Sequence, residues 1–117
     1  MDFSAVIVAA GSSTRAGPGA PKPWRSLGGR PILSWSIEAF AAAGARQIVI
    51  VVAEAWLDEA AELLRGVPGA VAVRGGATRA DSVQQGLAAL QGESAVLVHD
   101  AARPFLTATH IRGLLAA

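Results

Sequence analysis

A chain of 117 residues is enough for one domain with a single core, burying roughly two thirds of its unfolded surface, and leaves no room for a second. Ten basic against nine acidic residues give a net charge of +1, which excludes a global field drawing in nucleic acid or an acidic membrane, so any anion site must be local. The absence of cysteine excludes disulfides and thiolate metal ligands. Asp2 stands where a signal peptide is basic, and the first apolar run is too short to span a bilayer, so a cytoplasmic protein is expected.

Ala5 to Ala10 (AVIVAA) is a short apolar run closed by Gly11, the pattern of a buried strand. Residues 11–30 then carry Arg15, Lys22, Arg25 and Arg30 with no acidic residue, in a segment broken by Gly17, Pro18, Gly19, Pro21 and Pro23. A loop of this length in a compact domain is functional or disordered. Lys22 is the only lysine. Pro31 suits a first helical turn, Leu33, Ile37 and Phe40 share a face and Gly44 acts as a stop, predicting a helix over residues 31–43. Gln47 to Ala53 (QIVIVVA) is nearly all apolar, as expected of a central parallel strand buried on both faces.

Leu57, Ala60, Ala61 and Leu64 line one side of the next stretch and Asp58, Glu59, Glu62 and Arg65 the other, an amphipathic helix ending at Gly66. Gly69 to Val73 reads as a short strand closed by Gly75 and Gly76. Val83, Gly86, Leu87 and Leu90 recur at helical spacing over residues 79–90, with Asp81 and Ser82 in the first turn. Ala95 to His99 is a further strand delivering Asp100, Arg103 and Pro104 into a loop, and Thr107 caps a last helix through Ile111, Leu114 and Leu115. Strands alternating with helices predict an α/β domain over residues 1–117: three layers, a mainly parallel open sheet and helices on both faces.

Three polar groups fall beyond the C-terminal strand ends, where parallel sheets collect their ligands. The loop 11–23 lacks the Gly-Lys-Ser/Thr of a P-loop, and Ser13 and Ala16 occupy the second and third glycine positions of G-x-G-x-x-G, so neither an ATPase nor a dinucleotide oxidoreductase is supported. Its small residues leave backbone N–H groups accessible, and Arg15 and Lys22 can add charge-assisted bonds to a phosphate; a surface loop with solvated cations is the alternative. In Gly75 to Val83 (GGATRADSV), free N–H groups and hydroxyls at a helix start can hold an anion or a base edge, or Thr78 and Asp81 simply cap the helix. Asp100 is placed for Mg²⁺, which needs few protein ligands, or for a surface ion pair with Arg103. His99 reads as a packed residue at the core boundary, and His110 as a solvent-facing one.

AAGSSTR after a strand, PK seven residues beyond Arg15 with Lys22 in second place, GGATRADSV and VHDAARP, in this order and spacing, together resemble the 2-C-methyl-D-erythritol 4-phosphate cytidylyltransferase family over nearly the whole chain. The resemblance implies a Rossmann-like, glycosyltransferase-A-like nucleotidyltransferase fold, here the N-terminal part of a longer enzyme. It also implies Mg²⁺-dependent transfer of CMP from CTP to methylerythritol 4-phosphate, with release of pyrophosphate, in non-mevalonate isoprenoid synthesis. Ala9, Ala10 and Gly11 with Gly76 and Ser82 would then bound the cytosine, while Ser12, Ser13, Thr14 and Arg15 wrap the triphosphate. Arg15 and Lys22 would be the catalytic cations and Asp100 the Mg²⁺ ligand. Arg79 and Ala101 would contribute to nucleotide binding and Arg103 to substrate binding. A homodimer is implied, its arm lying beyond this chain. Ser13, Ala16 and Ala77 depart from the family's common glycine, methionine and acidic residue. A ribitol 5-phosphate or other small-molecule cytidylyltransferase, and a nucleotide-binding module without catalysis, remain alternatives.

Overall fold

The computed structural model describes residues 3–10, 24–92 and 95–100. Along the chain these form β1 (Phe3–Ala9), the short strands β2 (Ser26–Leu27) and β3 (Arg30–Pro31), α1 (Ile32–Ala42), β4 (Gln47–Val52), a 3₁₀ turn (Glu54–Trp56), α2 (Leu57–Leu63), β5 (Ala70–Arg74), α3 (Arg79–Ala88) and β6 (Ala95–Asp100). The four longer strands make one parallel sheet in the order β5-β4-β1-β6. The continuous apolar runs of β1 and β4 are explained by their central position: every residue of β1 is buried, as is every residue of β4 after Gln47.

Side-chain alternation divides the core between the two faces of the sheet. Phe3, Ala5, Ile7 and Ala9 of β1, with Ile48, Ile50 and Val52 of β4, meet Leu33, Ile37 and Phe40 of α1 and Ala60 and Leu64 at α2. Val6, Val8, Val49 and Val51 form the opposite face, against Val83 of α3 and the following Ala89 and Leu90. Helices therefore cover both faces, as expected of an α/β domain. Each fully buried Val, Leu, Ile or Phe contributes roughly 1.5–3 kcal/mol of burial free energy, so β1 and β4 are the stable centre. Among the described residues no helix is long and apolar enough to cross a membrane.

The helix terminus at Gly44 follows from backbone geometry. Gly44, at φ +90°, lets its own N–H donate to Ala41 O at 3.1 Å and the Ala45 N–H to Phe40 O at 3.0 Å, closing α1 with a Schellman motif. Local differences from the sequence reading are equally physical. Residues 26–30, read as part of a long loop, form with Pro31 an antiparallel hairpin whose connection Gly28-Gly29 has φ of +63° and +82°, the two positive values that a tight primed turn demands. Pro31 consequently ends β3 and caps α1 from outside rather than entering its first turn. On α2, Ala60 and Leu64 are buried but Ala61 is exposed, so the inward stripe is narrower than the amphipathic pattern suggests.

Candidate functional site

From β1 the sheet grows outward through β4 to β5, and then returns to place β6 on the other side of β1. The reversal lies between β1 and β6, and crevices of this kind, outside the carboxyl ends of the strands, are where open α/β sheets bind ligands. In the register of these strands Val8 pairs with Asp100, so Ala9, Ala10 and the half-buried Asp100 share one end of the sheet. His99 sets the end of β6 on α1. Its Nε2 lies 3.3 Å from the Oγ of the buried Ser36, and its ring stands edge-on to Phe40 at 5.8 Å. It is packed, as expected for a core-boundary histidine. Gly11, Ser12, Ser13, Thr14, Arg15, Lys22, Ala101 and Arg103 lie outside the described residues.

The start of α3 approaches the same sheet end. Thr78 is extended at the N-cap and its Oγ1 accepts from the Asp81 N–H at 3.0 Å, so the capping reading of Thr78 and Asp81 holds. A second arrangement accompanies it. The Gly75 N–H donates to Val52 O at 2.9 Å, carrying the β4–β5 ladder one residue further. The Gly76 N–H donates to Ser82 Oγ at 3.2 Å, and Ser82 is only 2% exposed. A Cβ placed on Gly75 would lie 2.6 Å from both Ala10 Cβ and Ser82 Oγ. Ala10 from the end of β1 thus converges with the stretch that holds Gly76 and Ser82, while Arg79 is exposed on the first turn of α3.

The Ser82 oxygen accepts from the Gly76 N–H, and a hydroxyl so engaged still has one proton to donate. The amino end of α3 adds partial positive charge, which Asp81 in the first turn offsets. Among the described residues no group of three or more His, Cys, Asp or Glu is placed to hold a metal ion. Asp100 offers a single carboxylate at the strand end, a donor set that fits Mg²⁺, which takes its remaining ligands from water and substrate phosphates.

Three features escaped the sequence reading. Gly75, read as a strand terminator and as one of two glycines that let backbone approach a ligand, also has no room for a side chain, since a Cβ there would lie 2.6 Å from Ser82 Oγ. Trp24 stacks on Trp56 with centroids 4.9 Å apart and 15° between planes; its buried Nε1 has no hydrogen-bond partner among the described residues. Arg30, grouped with the loop cations, is occupied structurally. It pairs with Glu38 at 2.6 Å, donates from Nε to Ser34 Oγ at 3.2 Å and lies 4.2 Å from the Trp35 ring centroid.

Comparison with known proteins bears on this geometry. The family model for IspD, 2-C-methyl-D-erythritol 4-phosphate cytidylyltransferase, matches residues 3–117. A bifunctional enzyme IspD/IspF of Caulobacter vibrioides is 55% identical over 123 residues, covering 100% of this chain and 31% of that protein. Its counterpart from Rhodobacter capsulatus is 44% identical over 119 residues, covering 100% and 30%. The chain thus spans about a third of the length of the curated relatives it matches. Among solved structures, the 4-diphosphocytidyl-2C-methyl-D-erythritol synthase of Anaerococcus prevotii superposes with a TM-score of 0.83 at 27% identity, over 97% of this chain and 49% of that one. The inositol-1-phosphate CTP transferase of T. maritima shares the fold, with a TM-score of 0.72 at 20% identity, over 84% of this chain and 42% of that one. A family match running from residue 3 to residue 117, on a chain whose parallel sheet reverses beside β1, shows that the chain belongs to the 2-C-methyl-D-erythritol 4-phosphate cytidylyltransferase family.

Proposed function

We propose that the protein carrying this chain transfers CMP from CTP to 2-C-methyl-D-erythritol 4-phosphate, giving 4-diphosphocytidyl-2-C-methyl-D-erythritol and pyrophosphate, and that residues 1–117 form part of its nucleotide-binding domain. The observation that carries this reading is the meeting of Ala10, Gly76 and Ser82 at the sheet end that also holds Asp100. Ala9, Ala10, Gly11, Gly76 and Ser82 bound the base, and the close backbone suits a pyrimidine better than a purine. Ser12, Ser13 and Thr14 wrap the triphosphate; Arg79 and Ala101 add to nucleotide binding, and Arg103 binds the second substrate.

In the reaction an oxygen of the methylerythritol phosphate forms a bond to the α-phosphorus of CTP as the bond to the bridging oxygen of the β-phosphate breaks and pyrophosphate leaves. The nucleophile is already an anion, so little general base is required, and positioning with charge neutralisation supplies most of the acceleration. Arg15 and Lys22 neutralise the charge gathering on the α-phosphoryl oxygens. Asp100 would hold Mg²⁺, which when bound neutralises phosphate charge and helps to bring two anions together. Pyrophosphate release from CTP is the test: it is expected to require both Mg²⁺ and methylerythritol 4-phosphate, and equal or faster release with ribitol 5-phosphate would overturn the assignment.

A further inference from the structure

We infer that Gly86 and Gly75 are positioning residues for CTP: by carrying no side chain they seat the Ser82 hydroxyl against the end of β1, and so set the affinity for the nucleotide. The inference rests on reading Ala10, Gly76 and Ser82 as the wall of the base site. Gly86 lies inside α3, where glycine costs roughly 0.5–1 kcal/mol relative to alanine, and its φ is not positive. No turn or cap accounts for it. Space does.

A Cβ on Gly86 would collide with Val6 Cγ1 of β1 and come within 2.9 Å of Val51 Cγ2 of β4. Both valines are 0% exposed, and β-branched side chains in packed strands have little rotameric freedom with which to yield. The helix must lift instead. Against the ordinary 3.4–4 Å contact range, the 2.9 Å approach to Val51 alone asks for at least 3.4 − 2.9 = 0.5 Å. Ser82 stands four residues earlier on the same face of α3 and is buried with Gly86. Its bond to the Gly76 N–H is already 3.2 Å, at the long end of the N–H···O range, so a displacement of that size at Ser82 disturbs it.

Gly75 acts on the same hydroxyl from the opposite side. Its backbone is pinned by the 2.9 Å bond to Val52 O, and a Cβ there would press on Ala10 Cβ and Ser82 Oγ at 2.6 Å and on Val51 Cγ1 at 3.1 Å. The two glycines leave Ser82 one seat, between the end of β1 and the turn before α3. They touch no reacting atom, so their effect falls on binding rather than on the chemical step.

The experiment is calorimetric titration of the protein with CTP, paired with steady-state kinetics. Gly86→Ala is expected to raise the CTP dissociation constant about tenfold, equivalent to about 1.4 kcal/mol, with the KM for CTP following, kcat within twofold of the parent and the KM of the second substrate unchanged. Val6→Ala and Val51→Ala together with Gly86→Ala, which remove both colliding methyl groups, are expected to recover most of that affinity. A Gly86→Ala protein that melts at a different temperature yet binds CTP with the parent affinity overturns the inference, as does a folded triple variant that recovers nothing. Should Gly86→Ala fail to fold, Gly75→Ala decides: a folded variant that loses CTP affinity with kcat kept supports the inference, and one that binds CTP as the parent does sinks it. Failure of the parent protein to bind CTP would strike the proposed function itself, a result distinct from all of these.

Discussion

The two faces of the sheet are packed on different principles. Against α1 and α2 the sheet presents large side chains, and Phe3, Phe40, Leu33, Ile7, Ile48 and Ile50 are all essentially inaccessible. Against α3 its buried apolar residues in β1 and β4 are valines, Val6, Val8, Val49 and Val51, and the buried positions of α3 itself are Ser82 and Gly86. Burial free energy scales with apolar area, so the first face holds the domain together. The second forgoes area for proximity, bringing a helix start and its hydroxyl within hydrogen-bond reach of the strand ends. Stability and the proposed nucleotide placement thus fall on opposite sides of a single layer of strands.

The largest effect that tests this division comes from the first face. Phe40 is 2% exposed, meets Phe3 at 6.4 Å between centroids and takes the edge of His99. Phe40→Ala is expected to cost about 3–5 kcal/mol of folding stability, measured by denaturant unfolding, while the surviving folded protein binds CTP within about threefold of the parent, a change of under 1 kcal/mol. A folded variant that loses CTP binding altogether would mean that the two faces are not independent.

A smaller effect probes the second face. Thr78 accepts from the Asp81 N–H at the start of α3, and loss of an N-cap costs about 1 kcal/mol. Thr78→Ala should therefore destabilise far less than Phe40→Ala, yet weaken CTP binding more, since the first turn of α3 carries Ser82. A binding loss no greater than that of Phe40→Ala would remove the distinction between the faces.

The division was half legible in the residues. β1 and β4 were readable because a strand buried on both faces must be apolar throughout, and α1 because Leu33, Ile37 and Phe40 repeat on one side and Gly44 closes it. The α3 face was not. Gly86 counts as one more apolar position in a helical stripe, whereas its role is to be missing a side chain opposite Val6 and Val51. A close approach is a distance between segments far apart in sequence, and no local pattern encodes it. Leu87, counted in the same stripe, is 43% exposed, because small residues turn a different side of α3 to the sheet. The β2–β3 hairpin was missed for a simpler reason, since two residues on either side of Gly-Gly carry no periodicity. For the site, the residues assigned to the base and metal from Ala10, Gly76, Ser82 and Asp100 fall at one sheet end or beside it, and the cations Arg15 and Lys22 lie outside the described residues.

The smallest expected effect lies on the outer side of α1. Arg30 reaches Glu38 at 2.6 Å, but these side chains are 37% and 63% exposed, and exposed pairs contribute about 0–1 kcal/mol. Arg30 is also held by the Ser34 hydroxyl, the Ser34 carbonyl and the Trp35 ring, so it keeps its place when the carboxylate is removed. Glu38→Ala should accordingly lower stability by about 0.5 kcal/mol or less at low salt. The difference from the parent should shrink as salt approaches roughly 1 M, where the screening length falls to about 3 Å. Paired thermal melts at the two salt concentrations measure it. A salt-insensitive loss approaching that of Phe40→Ala would move the stability of this face from its apolar inner side to the polar clamp between the hairpin and α1.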